Sequence, residues 1–138
     1  MSANLDLVRS IYANWERGDF RSVDWADPEI EFAFGDGPDP ESWTGLDGMA
    51  EGWRAFQSTW EDFRADPTDY RELDDERVLV LVHFIGRAKA SGMDLAQMQT
   101  EQANLLQIRD GKVTRLVLYW DRDRAFVDLG LTPEGERR

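Results

Sequence analysis

Apolar residues recur every three or four positions through Leu5, Val8, Ile11, Tyr12 and Trp15. Residues 4–17 therefore predict an amphipathic helix, with Gly18 as its C-terminal stop. Asp19 can cap a second, short helix over Phe20 to Trp25, which Asp27-Pro28 would end. Glu29 to Phe34 alternates, placing Ile30, Phe32 and Phe34 on one face of a short strand. Gly35 to Trp43 is rich in turn residues and suits a lid at a pocket mouth or a plain loop. Met49, Trp53, Phe56, Trp60 and Phe63 then form a helical stripe, predicting the longest helix over 46–63.

Beyond that helix the period changes to that of strands. Residues 64–72 suit a strand and 73–76 a polar turn. Residues 77–90 are apolar almost without interruption in the middle, which predicts a strand covered on both faces. Ser91-Gly92 turns the chain. Ala96, Met98, Thr100, Gln102, Asn104, Leu106 and Ile108 alternate in phase, predicting a strand over 95–109, although Met, Gln and Ala also suit a helix. Asp110-Gly111 is a hairpin turn into a strand over 113–119, and a short helix over 122–129 precedes a charged tail.

This order predicts an α+β domain over residues 1–131, with about three N-terminal and central helices on the concave face of a curved antiparallel sheet, and a tail over 132–138. At 138 residues the chain can bury roughly two-thirds of its unfolded surface. With no cysteine, disulfides, thiol nucleophiles and Cys-ligated zinc are excluded. No apolar run approaches the roughly 20 residues that span a bilayer, and the first residues lack a signal core, so the expected location is the cytoplasm. The net charge of −12 argues against nucleic acid and anionic membranes as partners and favours a neutral or cationic ligand. Apolar residues on both sides of the exposed strands suggest a homodimer through the outer sheet face.

Few residues carry candidate chemistry. His83, the sole histidine, shares a strand face with Leu79, Leu81 and Ile85. It is either a core residue with one satisfied hydrogen bond or a pocket acid/base; without a second His or a Cys a metal role is poor. Asp121 stands where an N-cap of the last helix belongs. Asn104 and Gln102 either face a pocket, where Asn104 could stabilise a developing enolate, or face solvent or a partner. Tyr12, Trp15, Phe32, Phe34, Trp53, Phe56 and Tyr119 serve as core or as the lining of a pocket for a flat apolar or aromatic small molecule. No nucleotide fingerprint or nucleophile elbow is present, and no cofactor is expected.

Several local sequences together resemble the SnoaL-like polyketide cyclases of the nuclear transport factor 2-like superfamily. They are Gly18-Asp19-Phe20, the run from Trp43 to Gly48, Gly86-Arg87, Ser91-Gly92, and Val113 to Leu131 with its Trp120-Asp121 pair. The resemblance covers nearly the whole chain. It implies a cone of sheet and helices with an apolar pocket at its open end. It also implies a cofactor-independent cyclase or isomerase, with Asp121 as general acid/base and His83 as its partner, or a non-catalytic binding module on the same scaffold. A protein-interaction module with the pocket filled by side chains is a third possibility. Against the ketosteroid isomerases of this fold, Phe32 stands where their catalytic Asp belongs. Their Tyr position falls on Ile11, beside Tyr12. The Asp-Arg-Asp set of the limonene-epoxide hydrolases has no match on the middle strands, which carry His83 and Asn104.

Overall fold

The computed structural model describes residues 3–19, 23–36, 42–95 and 101–133. Helix α1 (Ala3–Glu16) buries Val8, Ile11 and Tyr12. Gly18 closes it, because only a residue at ease with positive φ (+79°) lets the Gly18 and Asp19 amides turn back to the Trp15 and Asn14 carbonyls. Of the expected second helix, residues 20–22 lie outside the described residues, and 23–25 form a turn rather than a helix. Strand β1 (Ala26–Phe34) begins earlier than expected, with Asp27-Pro28 inside it. The tripeptide β2 (Ser42–Thr44) pairs with its end and was not foreseen.

Helix α2 (Gly45–Ser58) stops five residues short of the expected end. Trp60 and Phe63 belong instead to β3 (Trp60–Asp74), which forms a long antiparallel hairpin with β4 (Arg77–Ala88). The register shifts between Glu61 and Arg64, where Asp62 has φ +54°. An extra residue in a strand returns side chains three apart to one face. That bulge reproduces the spacing of a helix. Gly86 lies opposite with φ +154°, where a Cβ would sit 3.2 Å from the Glu61 carbonyl oxygen, so a glycine suits the close approach of the bulged strand. Strand β5 is described over Gln102–Arg109; Ala96, Met98 and Thr100 of its expected first half lie outside the described residues. The Asp110-Gly111 turn, with positive φ at both residues, leads as expected into β6 (Lys112–Tyr119), and α3 (Arg122–Asp128) ends the fold.

The six strands form one sheet in the order β2-β1-β6-β5-β4-β3. All pairs are antiparallel except β1 with β6, which is parallel, so the sheet is mixed. On one face, Val78, Val80, Val82, Phe84, Leu106, Ile108, Leu116 and Leu118 pack under α1 and α2. On the other, Leu79, Leu81, Ala103, Leu105, Val117 and Tyr119 are buried with Ala125, Phe126 and Leu131. The N-terminal and central helices α1 and α2 thus share one face, and the C-terminal α3 covers the other. This two-sided cover is why 78–82 reads as continuously apolar. The outer apolar residues on which the dimer expectation rested are already buried within the chain. Among the described residues no helix is long and apolar enough to cross a membrane.

Candidate small-molecule site

A cavity of about 740 Å³ opens between the end of α1, the turn after it, α2, and the inner face of β1 and β6. Its walls are Trp15, Trp25, Phe32, Met49 and Trp53, with Val23, Leu46 and Leu116. The polar groups lining it are Asp19, Asp47, Arg54 and Gln57. Helical spacing on α2 explains the set: Leu46, Met49, Trp53 and Gln57 follow one another at three and four residues, with Ala50 four after Leu46 and three before Trp53, and so present one strip. Trp15 and Trp53 stack at 5.6 Å with 24° between their planes, and Trp25 meets Trp15 edge-on at 6.0 Å. A smaller cavity of about 230 Å³ shares Trp15 and Trp53 and adds Phe63, Arg64 and Asp66, so the stacked indoles stand between two hollows.

The rest of the inner mouth is filled. Phe34, Trp43, Phe56, Trp60, Phe63, Phe84 and Trp120 contact one another in a continuous aromatic network, with Phe56 meeting Phe63 edge-on at 4.7 Å and Trp120 meeting Phe84 edge-on at 5.3 Å. Of the aromatic residues expected to line a pocket, Trp15, Phe32 and Trp53 line the cavity, while Phe34 and Phe56 belong to this network. Tyr119 points to the opposite face. There its ring lies against Gly35 and its hydroxyl bonds Asp128 at 3.3 Å; burial and that carboxylate push its pKa up to about 12.

The polar candidates separate into three places. Asn104 is buried and donates from Nδ2 to the Tyr12 hydroxyl at 2.6 Å. Its Oδ1 is buried with no partner among the described residues. Turning the amide over lets Tyr12 donate to Oδ1 and leaves the Asn104 nitrogen unpartnered, so either assignment orphans one end. Burial drives the Tyr12 pKa up strongly. Gln102, also buried, accepts the Phe84 amide at 2.9 Å through Oε1. Neither amide lines the cavity.

Asp121 caps α3, accepting the Asp123 amide at 3.0 Å. Both Asp121 and Trp120 donate their own amides to the carboxylate of Asp36, at 2.9 and 2.7 Å. Asp36 falls in the turn-rich stretch after β1, and no local sequence signal marks it, because its partners lie 84 and 85 residues away. His83 keeps the face expected for it, but that face is the outer one. Its side chain is 49% exposed, 4.0 Å from Glu101, which in turn pairs with Arg122 at 2.6 Å. The structure therefore places Asp121 at a helix cap and His83 on the face opposite α1 and α2. Neither side chain lines the cavity.

A family model for the SnoaL-like domain matches residues 8–116, so the chain belongs to that family. No curated protein matches it in sequence. Among solved structures it is similar to a protein of unknown function from Burkholderia pseudomallei, described as nuclear transport factor 2-like. The TM-score is 0.74 at 18% identity, over 92% of this chain and 97% of that one. It is similar to TerC co-crystallised with polyporic acid (TM-score 0.69, 21% identity, 93% and 98% covered). It is also similar to a protein of ketosteroid isomerase-like fold from Catenulispora acidiphila in complex with trimethylamine (TM-score 0.64, 16% identity, 93% and 95% covered). The family includes polyketide cyclases and ketosteroid isomerases.

Proposed function

We propose that the protein binds a small apolar or aromatic molecule in the tryptophan-walled cavity, and that it acts as a binding module rather than as an acid/base cyclase using Asp121 and His83. The observation that carries this reading is the separation of the two functions. The open volume is lined by Trp15, Trp25, Phe32 and Trp53, whereas Asp121 and His83, the acid and base expected for ring closure, are not among its lining residues. Proton transfer requires the donor within hydrogen-bond reach of the substrate, directly or through one water. Asp121 is occupied in capping α3, and His83 faces outward toward Glu101. A concave site of several hundred Å³ with mainly apolar walls and a few polar groups suits a drug-sized ligand. Two neighbours of similar fold are described with small organic molecules, polyporic acid and trimethylamine, which is compatible with a binding role.

Titration with the neutral fluorophore N-phenyl-1-naphthylamine tests the reading. Saturable one-to-one enhancement is expected in the wild type. Ala50→Trp, at an exposed position on the cavity wall, should abolish it by filling the hollow. Absence of saturable binding, or equal binding by the variant, overturns the proposal.

A further inference from the structure

Resting on that reading of the cavity, we propose that its ligand carries a positive charge, and that an alkylated ammonium group sits in the corner formed by Trp15, Trp25 and Trp53 with Asp47 as counter-charge. Three indoles converge on one hollow, two of them nearly parallel and the third almost perpendicular to Trp15. The face of an indole carries the negative lobe of its quadrupole, and tryptophan is the strongest of the aromatic side chains in holding a cation. A neutral apolar ligand would gain from any large side chain here; a cation gains specifically from indole faces.

Acidic groups outnumber basic ones around the corner. Asp19 and Asp47 line the cavity, and Glu16 lies beside the same Trp15–Trp53 wall in the smaller hollow. Opposing them are Arg54, whose Nε turns back to the Ala50 carbonyl of its own helix at 3.4 Å, and Arg64, which pairs with Asp66 at 3.2 Å. The whole chain adds a field of net charge −12, which attracts a cation from solution. An anionic ligand such as a carboxylate would meet the two aspartates of the lining.

Calorimetric titration of the full chain with benzyltrimethylammonium and with its neutral carbon isostere neopentylbenzene, in the same cosolvent, separates charge from shape. The cation is expected to bind at least about 10-fold more tightly, the range a partly desolvated cation–π contact supplies. Asp47→Asn should reduce that preference several-fold while leaving the isostere's affinity unchanged. Equal binding of the two probes overturns the proposal and leaves the apolar cavity reading standing. A preference untouched by Asp47→Asn overturns the counter-charge assignment. No binding of either probe, together with failure of the fluorophore titration, overturns both readings.

Discussion

The buried pair of Tyr12 and Asn104 places two polar groups in an apolar interior, joined by one hydrogen bond of 2.6 Å and leaving one amide end unmet. Tyr12→Phe removes the hydrogen-bond partner of the Asn104 amide, and a buried polar group left unsatisfied costs about 1–3 kcal/mol. Urea unfolding should show that loss. Replacing both partners, Tyr12→Phe with Asn104→Leu, should recover most of it, because no polar atom is then stranded; a double variant as weak as the sum of the two single ones would mean the pair is not coupled. The same burial has a consequence at high pH. The pKa values of Tyr12, Tyr70 and Tyr119 all lie above the ordinary phenol value of 10.0 in the folded chain. Below pH 10 the phenols are protonated in both states and their contribution to stability is fully present. Above it the unfolded chain releases protons that the folded chain retains, so stability falls as pH rises toward the folded values. Absorbance at 295 nm should rise in step with unfolding rather than with a midpoint near 10, and Tyr12→Phe should reduce the alkaline loss.

Among the elements, α3 depends on its first residue. Asp121 satisfies the Asp123 amide, and Ala125 and Phe126 bury the helix on the outer face. Asp121→Ala should therefore cost about 1 kcal/mol, and Asp121→Asn, which keeps a capping oxygen, much less. Thermal melts of the two variants distinguish a cap from a catalytic acid, since loss of an acid would remove activity in both without this stability order. A second element-level test concerns α2: a Cβ at Gly52 would stand 2.5 Å from the Trp43 ring and 3.0 Å from that of Phe32. Gly52→Ala must displace the Trp43 ring or the helix and should lower stability by about 1–3 kcal/mol, and it should also change the cavity that α2 walls.

These elements show where the sequence was readable. The α1 stripe, the Asp110-Gly111 hairpin and the two-sided burial of β4 follow from local periodicity and turn chemistry, and the family resemblance was carried by turn residues of the same kind. The end of α2 was not readable, because a bulge at Asp62 gives strand residues Trp60 and Phe63 the spacing of a helix. The candidate site was less legible still. Trp15, Phe32 and Trp53 were identified from their aromatic character. Trp25, Asp19 and Asp47 were not, since nothing local indicates that residues after α1 and the first turn of α2 wall one cavity. His83 was correctly phased with Leu79 and Leu81, yet phase alone does not say which face of a sheet holds the pocket.

At the scale of the molecule, one sheet separates an aromatic-rich interior under α1 and α2 from a mainly aliphatic one under α3. The edge strand β3 carries Glu61, Asp62, Arg64, Asp66, Asp69, Arg71 and Glu72, a charged border that discourages pairing with another sheet. Its ion pairs are short-range and at least partly exposed, such as Arg64–Asp66 and Arg71–Asp69. Such pairs contribute little, on the order of 0–1 kcal/mol each. They do not offset the repulsion among 28 acidic residues facing only 16 basic ones. Compaction brings these like charges together, so repulsion opposes folding most at low ionic strength and is damped once the Debye length shrinks to about 10 Å near 0.1 M salt. The melting temperature at neutral pH should therefore rise by several degrees between about 0.01 and 0.15 M sodium chloride, across which the screening length falls from roughly 30 to 8 Å. A melting temperature that falls over the same range would show that the local ion pairs, and not the net field, dominate the electrostatics of the fold.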